Sequence, residues 1–295
     1  MAPLRRALAG LTPVRRPATS EAAFLTLRAA VVGFGLIAVL APLAFLLLTS
    51  LKPADEFLTT PPVFIPHGLT LEHYRAVLSP DRDTFRFLLN SLIVAGATTV
   101  LSVALGSLAA YALARLHLPF RLATLIAFAF LIVRFYPKVT VALPYFLLMR
   151  DLGLLDTLAA VIATHVGLSL PFVVWLMLAF FREFPRELEE SARIDGCTVW
   201  QRFCLVILPL TGPALMTAAL MTVILSWNEF LMASAVAPVH AKTLPVRIAG
   251  FITDKGILWG PMSAMSAIIV IPVMLFALFA QRYLVRGLTL GAVKG

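Results

Sequence analysis

Five polar side chains lie in or beside two apolar stretches of the sequence: Arg134, Tyr136, Lys138, Asn228 and Glu229. Such a set would suit a sugar, because the polar groups exchange hydrogen bonds with hydroxyls while the tyrosine offers an aromatic face. Since Arg134 and Lys138 are four residues apart, one helix would carry both on the same side. A second interpretation stays open, in which Glu229 neutralises Arg134 or Lys138, because unpaired charge is costly in an apolar setting.

Other kinds of chemistry find little support in the residue types. The sequence holds no Gly-x-x-x-x-Gly-Lys-Ser/Thr phosphate loop and no nucleophile–base–acid set, and its five histidines are scattered without metal-ligand spacing. Cys197 and Cys204 are expected to be reduced packing thiols, because a disulfide framework needs a denser set of cysteines. We therefore predict no catalytic residue, no metal site and no cofactor in this chain.

The composition indicates that a bilayer surrounds most of the chain. Of its 295 residues, 60% are hydrophobic and only 13% are charged, whereas a soluble domain has about 45–50% apolar and about 25% charged residues. The net charge of +9 comes from basic residues that punctuate apolar runs. This distribution indicates membrane topology rather than binding to nucleic acid.

Apolar runs without Asp, Glu, Lys or Arg predict five membrane-spanning helices, since roughly 20 residues cross the hydrocarbon core. They cover residues 29–51, 87–114, 157–181, 203–228 and 257–281. Two shorter runs, 122–133 and 139–149, predict one further span that is broken near Pro137, because proline interrupts helical hydrogen bonding. The predicted fold is therefore all-α, with six transmembrane helices of which the third is broken.

The distribution of Lys and Arg places both termini in the cytoplasm, since the segments assigned to that side hold more of these residues. The predicted organisation is a cytoplasmic tail over residues 1–28, a transmembrane domain over 29–285 and a cytoplasmic tail over 286–295. The cytoplasmic segment 182–209 interrupts the transmembrane domain.

Segment 182–209 predicts two helices joined by a glycine turn. Pro185 suits the first turn of a helix over residues 186–195, and Gly196 stands where a helix ends in a left-handed residue. Thr198 and Gln201 have capping-box spacing for the second helix, which is expected to run on into the fifth span.

A known signature matches this segment in spacing. The order Glu190-Ser-Ala192, Gly196, Val206 and Leu208-Pro resembles the cytoplasmic signature of ABC importer permeases: Glu-Ala-Ala, three residues, Gly, nine residues, Ile, one residue, Leu-Pro. The resemblance implies that the segment docks on an ATPase subunit and transmits its closure to the membrane helices. It also implies the residues at that joint: Glu190, Ala192, Asp195 and Gly196.

Two further stretches resemble the carbohydrate-uptake branch of this family, and its MalG-like subunits in particular. They are Trp-Asn-Glu-Phe at 227–230 and Gly-Ala-Val-Lys-Gly at 291–295. The resemblance implies a sugar permease subunit in the bacterial cytoplasmic (inner) membrane, driven by ATP hydrolysis on separate subunits. It also implies that the C-terminal tail contacts those subunits through Gly287, Gly291, Lys294 and Gly295.

The implied partners are a second, homologous permease subunit, two copies of a cytoplasmic ATPase that hold ATP and Mg, and an external sugar-binding protein. The outer loop 243–259 would probe that protein's sugar cleft. Two alternatives stay open: an ABC importer permease for a non-sugar solute, and a secondary transporter. Lys138 could mark an acidic sugar or could pair internally.

Overall fold

Long apolar helices dominate the computed structural model, which describes residues 18–116 and 119–290. In this part of the chain, four helices are long and apolar enough to cross a membrane: α1 (Ala18–Ser50), α3 (Thr84–Arg115), α6 (Leu158–Glu183) and α13 (Trp259–Leu290). The first and last extend beyond the predicted spans. Residues 18–28 and 286–290, assigned from the sequence to the tails, are therefore helical.

Two further pairs of helices are long and apolar enough to cross a membrane only when the two helices of each pair are counted together. Helices α4 (Leu122–Phe135) and α5 (Lys138–Asp151) meet at an angle of 99°. The second pair, Val199–Leu210 and α10 (Gly212–Trp227), is bent by 79°. Counting each bent pair as one span gives up to six spans.

Proline explains both bends. Tyr136 precedes Pro137 and has an extended backbone with ψ 134°, as expected for a residue that the proline ring keeps out of the helical region. Thr211 leaves the helical region two residues before Pro213, whose missing N–H cannot continue the ladder. The second helix of the cytoplasmic segment was expected to run on into span 203–228, and the structure adds a bend of 79° between residues 199–210 and α10.

Short elements connect the long helices. The helical ones are α2 (Glu72–Leu78), α7 (Arg186–Ile194), α8 (Val199–Gln201), a π-helical stretch (Arg202–Ile207), α9 (Leu208–Leu210), α11 (Leu231–Val236) and α12 (Leu244–Ala249). Three single turns of 3-10 helix cover Ala54–Glu56, Pro80–Arg82 and Pro119–Arg121. Strands β1 (Ile252–Thr253) and β2 (Gly256–Ile257) form an antiparallel hairpin. The prediction of an all-α chain missed this hairpin, which lies in the loop 243–259.

The main core lies where α3 packs against α6. Val173, Val174 and Phe181 of α6 are fully buried there. Gly106 of α3 is a contact point, because a Cβ atom on this residue would lie 2.6 Å from Val173 Cγ1. Small residues allow this kind of close approach between membrane helices.

Gly106→Ala is expected to destabilise the protein by about 1–3 kcal/mol, the usual cost of overpacking a core. The added methyl would press on the Cβ as well as the Cγ1 of Val173, so α3 and α6 must separate. Gly96→Ala is the matched control on the same helix, since nothing lies within 4 Å of a Cβ there. Thermal melting of the two variants in detergent checks this, and equal melting temperatures would contradict the close contact.

Candidate functional site

The cytoplasmic segment forms the predicted pair of helices around a tight turn. Gly196 has φ +85°, a left-handed conformation that glycine adopts without steric cost. The amide of Cys197 closes the turn by donating to the carbonyl of Ala192 at 3.0 Å. Thr198 and Gln201 form the predicted capping box: each side chain accepts a hydrogen bond from the other's backbone N–H, at 3.2 and 2.8 Å.

Glu189 anchors this segment to α3, a role that was not predicted from the sequence. Its carboxylate pairs with Arg115 at 2.5 Å and accepts a hydrogen bond from the Tyr111 hydroxyl at 3.2 Å. Arg115 also donates to the carbonyl of Phe184 at 2.8 Å. The only available signal was the spacing of Glu189 and Ala192, which share the buried face of α7. The last turn of α3 is therefore tied to the first turns of α7.

The four residues predicted for ATPase coupling differ in their solvent exposure. Glu190, Asp195 and Gly196 are exposed, whereas Ala192 is buried against the rest of the chain. Leu188, four residues before Ala192, is 44% exposed. A docking partner could therefore contact the first three residues directly, while Ala192 supports the helix from beneath.

Glu229 is the centre of a second, buried cluster. Its carboxylate accepts hydrogen bonds from the amides of Met232 and Ala233 at the start of α11, at 2.9 and 3.2 Å. Lys138 Nζ lies 3.7 Å from the same carboxylate and His165 Nε2 lies 3.4 Å from it. Lys138 and Glu229 therefore form an internal ion pair, which is one of the two interpretations that the sequence left open. His165 was missed because an isolated histidine in an apolar run carries no signal of its own.

Among the described residues, the other three predicted pathway residues form no hydrogen bond or ion pair with this cluster. Arg134 stacks over the ring of Phe172 at 5.8 Å. Tyr136 and Asn228 are exposed, and the Asn228 amide donates to Ile224 of its own helix. The prediction that Arg134 and Lys138 share one side of a helix is wrong, because the 99° bend lies between them.

Of the predicted tail contacts, Gly287 lies in the last turns of α13. Gly291, Lys294 and Gly295 lie outside the described residues.

Comparison with known proteins decides the family. Residues 90–290 match the family described as "Binding-protein-dependent transport system inner membrane component". The chain belongs to this family. It is therefore a transport component of an inner membrane, and the resemblance drawn from the signature is confirmed.

Curated relatives match this permease over most of its length. The trehalose transport system permease protein SugB of Mycobacterium tuberculosis is 38% identical over 90% of this chain and 94% of its own. The sulfoquinovosyl glycerol transport system permease protein SmoH of Agrobacterium fabrum is 37% identical over 86% and 88%. The trehalose/maltose permease MalG of Thermococcus litoralis is also 37% identical, over 86% and 91%.

A solved structure has the same fold as the permease. It is the crystal structure of a bacterial ABC transporter involved in the import of the acidic polysaccharide alginate. The TM-score is 0.74 at 24% identity, and the match covers 92% of this chain and 99% of the other. The likeness shows the fold alone.

Asp156 fastens the loop after α5 to the stretch that follows α11. Its carboxylate accepts hydrogen bonds from the amides of Val239, His240 and Ala241 at 2.8–3.2 Å. Partial burial opposes ionisation of this group, but the three amides outweigh it and hold the pKa of Asp156 below its usual range. This contact joins residues 83–85 positions apart, so no local pattern in the sequence predicts it.

Asp156→Asn is expected to lower the melting temperature at neutral pH, because an amide accepts these hydrogen bonds less strongly than a carboxylate. A lowered pKa stabilises the fold above the ordinary carboxyl value of about 4, and the effect is lost as the pH falls through the lowered value. The difference between wild type and variant should therefore be constant from pH 7 to about 5 and shrink in stronger acid. Melting curves across this range check it, and a difference that persists unchanged at pH 3 would contradict it.

Proposed function

We propose that this chain is one permease subunit of an ATP-driven importer that carries a sugar or sugar derivative across the cytoplasmic membrane. The names of the relatives support the substrate class: trehalose, sulfoquinovosyl glycerol, and trehalose with maltose. Diacetylchitobiose and arabinooligosaccharide permeases are also 33–34% identical to this chain. All of these substrates are carbohydrates or carry a sugar group.

The proposed topology has six spans with both termini in the cytoplasm. In this topology, α4 and α5 form a broken third span, and α10 forms most of the fifth. The tails are residues 1–28 and 286–295 and the permease domain is 29–285, with the helical extensions of α1 and α13 reaching beyond the membrane. The lengths of the four long helices and the two bent pairs support six crossings.

The proposed assembly contains a second, homologous permease, two ATPase subunits that hold ATP and Mg, and an external binding protein. The family description itself supports the binding protein. Gly287, Gly291, Lys294 and Gly295 are proposed to contact the ATPase subunits. The hairpin loop 243–259 is proposed to face the binding protein.

The proposed coupling path runs from Glu190, Asp195 and Gly196, through the buried ion pair of Glu189 and Arg115, into α3. One observation carries this proposal: the segment with the family signature is a capped helix pair that is bonded to the end of a membrane-spanning helix. Because a helix pair held in this way moves as a unit, a push on its exposed face would reach α3 directly.

The proposed sugar pathway passes Arg134, Tyr136 and Asn228. Each of these side chains is exposed, so it can exchange hydrogen bonds with a solute. Lys138 and Glu229 are proposed to hold the broken helix beside the pathway, because their charges already compensate each other.

Gly196→Pro tests the coupling proposal. Proline fixes φ near −65°, whereas Gly196 has φ +85°, so the turn between α7 and α8 cannot form. The ATPase subunit is expected to be lost when the tagged chain is purified from native membranes, while the second permease is retained. Quantitative identification of the co-purifying subunits measures both.

Gly153→Pro is the matched control, because Gly153 also has positive φ (+67°) and open space around it, at the other end of the molecule. This variant should keep the ATPase. Equal ATPase recovery with both variants would refute the coupling role. If the wild-type chain purifies without any ATPase and moves substrate down an ion gradient, the secondary-transporter alternative is correct.

A further inference from the structure

A charged cavity of about 350 Å³ lies between the end of α3, helix α7 and the stretch that starts at α8. It is distinct from the proposed sugar pathway, and Glu190 of the proposed ATPase contact is among its lining residues. Four arginines and two glutamates line it, which leaves an excess of two positive charges. The arginines are Arg115, Arg186, Arg193 and Arg202.

Most of this positive charge has no partner. Arg115 pairs with Glu189, but Arg186, Arg193 and Arg202 form no ion pair within residues 18–116 and 119–290. The Nε atom of Arg202 is buried and lacks any hydrogen-bond partner there. A buried donor without a partner costs free energy. The described residues therefore lack an acceptor for this donor.

The lining of the cavity includes apolar as well as charged residues. Arg115 is the last residue of α3, so the cavity lies at the level where a membrane-spanning helix leaves the hydrocarbon core. Leu116 and Val199 also line it, and both are exposed. A ligand with a charged head and an apolar continuation would therefore find matching groups in this lining.

We propose that this cavity binds a phosphate group, carried by an anionic phospholipid headgroup or present as free phosphate. The planar guanidinium groups of arginine bind phosphate oxygens in pairs, and the volume accommodates a phosphate with its attached polar group. Basic pockets at the cytoplasmic ends of membrane helices bind lipid headgroups in this way. The bound phosphate bridges α7 and the stretch after α8, and it thereby stiffens the coupling segment from its membrane side.

Native mass spectrometry of the full chain, purified together with its co-purifying subunits, tests the proposal. The sample is reconstituted with phosphatidylglycerol or phosphatidylcholine, and retained lipid is counted with and without millimolar inorganic phosphate. The wild type should retain phosphatidylglycerol in preference to phosphatidylcholine. The double variant Arg193→Gln/Arg202→Gln should retain about tenfold less, since it loses two charge-assisted contacts.

Arg182→Gln is the matched control, because Arg182 is an exposed arginine of the same segment that does not line the cavity. It should retain lipid as the wild type does. Arg202→Lys keeps the charge, and its retained phosphatidylglycerol should lie between that of the wild type and that of the double variant. This variant separates loss of the ligand from misfolding.

The phosphate arm distinguishes the two sources of the ligand. If millimolar phosphate displaces the retained lipid, the cavity takes free phosphate as well as the headgroup. If it does not, the headgroup is the ligand. Equal retention of the two lipids, or equal retention of phosphatidylglycerol by the wild type and the double variant, would overturn the proposal.

Discussion

Replacing Glu189 by alanine is expected to lower the free energy of unfolding by about 3–5 kcal/mol, because it leaves Arg115 as an unpaired buried charge. The side chains of Arg115 and Glu189 are only 9% and 8% exposed. The hydroxyl of Tyr111 loses its acceptor at the same time. Thermal melting of the purified chain measures the loss of stability.

The same substitution should uncouple ATP hydrolysis from transport. Helix α7 is bonded to the end of α3 through Glu189, so a freed α7 can still contact an ATPase without moving the membrane helices. We expect the ATPase to co-purify with Glu189→Ala while transport in reconstituted vesicles falls to background.

Glu190→Ala provides the control at the neighbouring position. Glu190 is exposed and forms no ion pair among the described residues, so its loss should leave the melting temperature unchanged and weaken ATPase binding instead. The double variant Glu189→Gln/Arg115→Gln should recover part of the lost stability, because no buried charge then stands alone. If Glu189→Ala melted like the wild type, the anchoring role would be refuted.

Local signals in the sequence account for the parts of the coupling segment that were predicted correctly. The turn at Gly196 and the capping box of Thr198 and Gln201 depend on residues within a few positions of each other. Both features can therefore be predicted from the local sequence without the tertiary structure. The positions of the long helices were equally accessible, because the bilayer sets their length and composition.

Contacts between residues that are far apart in the sequence could not be predicted from local patterns. Glu189 is 74 positions from Arg115, and it is one of several acidic residues on a polar helix. The bend at Tyr136 and Pro137 was predicted, but its angle was not, and the angle decides that Arg134 and Lys138 diverge. These features depend on how α3, α4, α5 and α6 pack, which the pattern of a single segment does not specify.

The cluster around Glu229 shows how such packing changes the interpretation of a residue. Residue type and apolar surroundings suggested a sugar contact or an internal pair, and both fitted the sequence. The structure places Glu229 where two backbone amides, Lys138 and His165 compensate its charge. A carboxylate with so many partners holds elements together, whether or not a solute reaches it.

Glu229→Ala is therefore expected to destabilise the permease by about 3–5 kcal/mol, because it removes the acceptor at the start of α11 and leaves nearby donors unpaired. Lys138→Ala should cost at most about 1 kcal/mol, since Lys138 is 42% exposed and water can replace its partner. The loss of stability of Glu229→Gln should lie between those of the two alanine variants, because its side-chain oxygen can still accept hydrogen bonds from the amides of Met232 and Ala233. Thermal melting ranks the three variants.

Transport measured on the same three variants separates the two roles of Glu229. If Glu229 acts by holding α5 and α11 in place, sugar uptake should fall in the same order as the melting temperature. Lys138→Ala would then transport nearly as well as the wild type. If Glu229 instead binds the sugar, Glu229→Gln would lose uptake out of proportion to its intermediate loss of melting temperature, because the amide keeps the backbone contacts but loses the charge. The geometry favours the first result, since the side chain of Glu229 is only 4% exposed and has little surface to offer a solute.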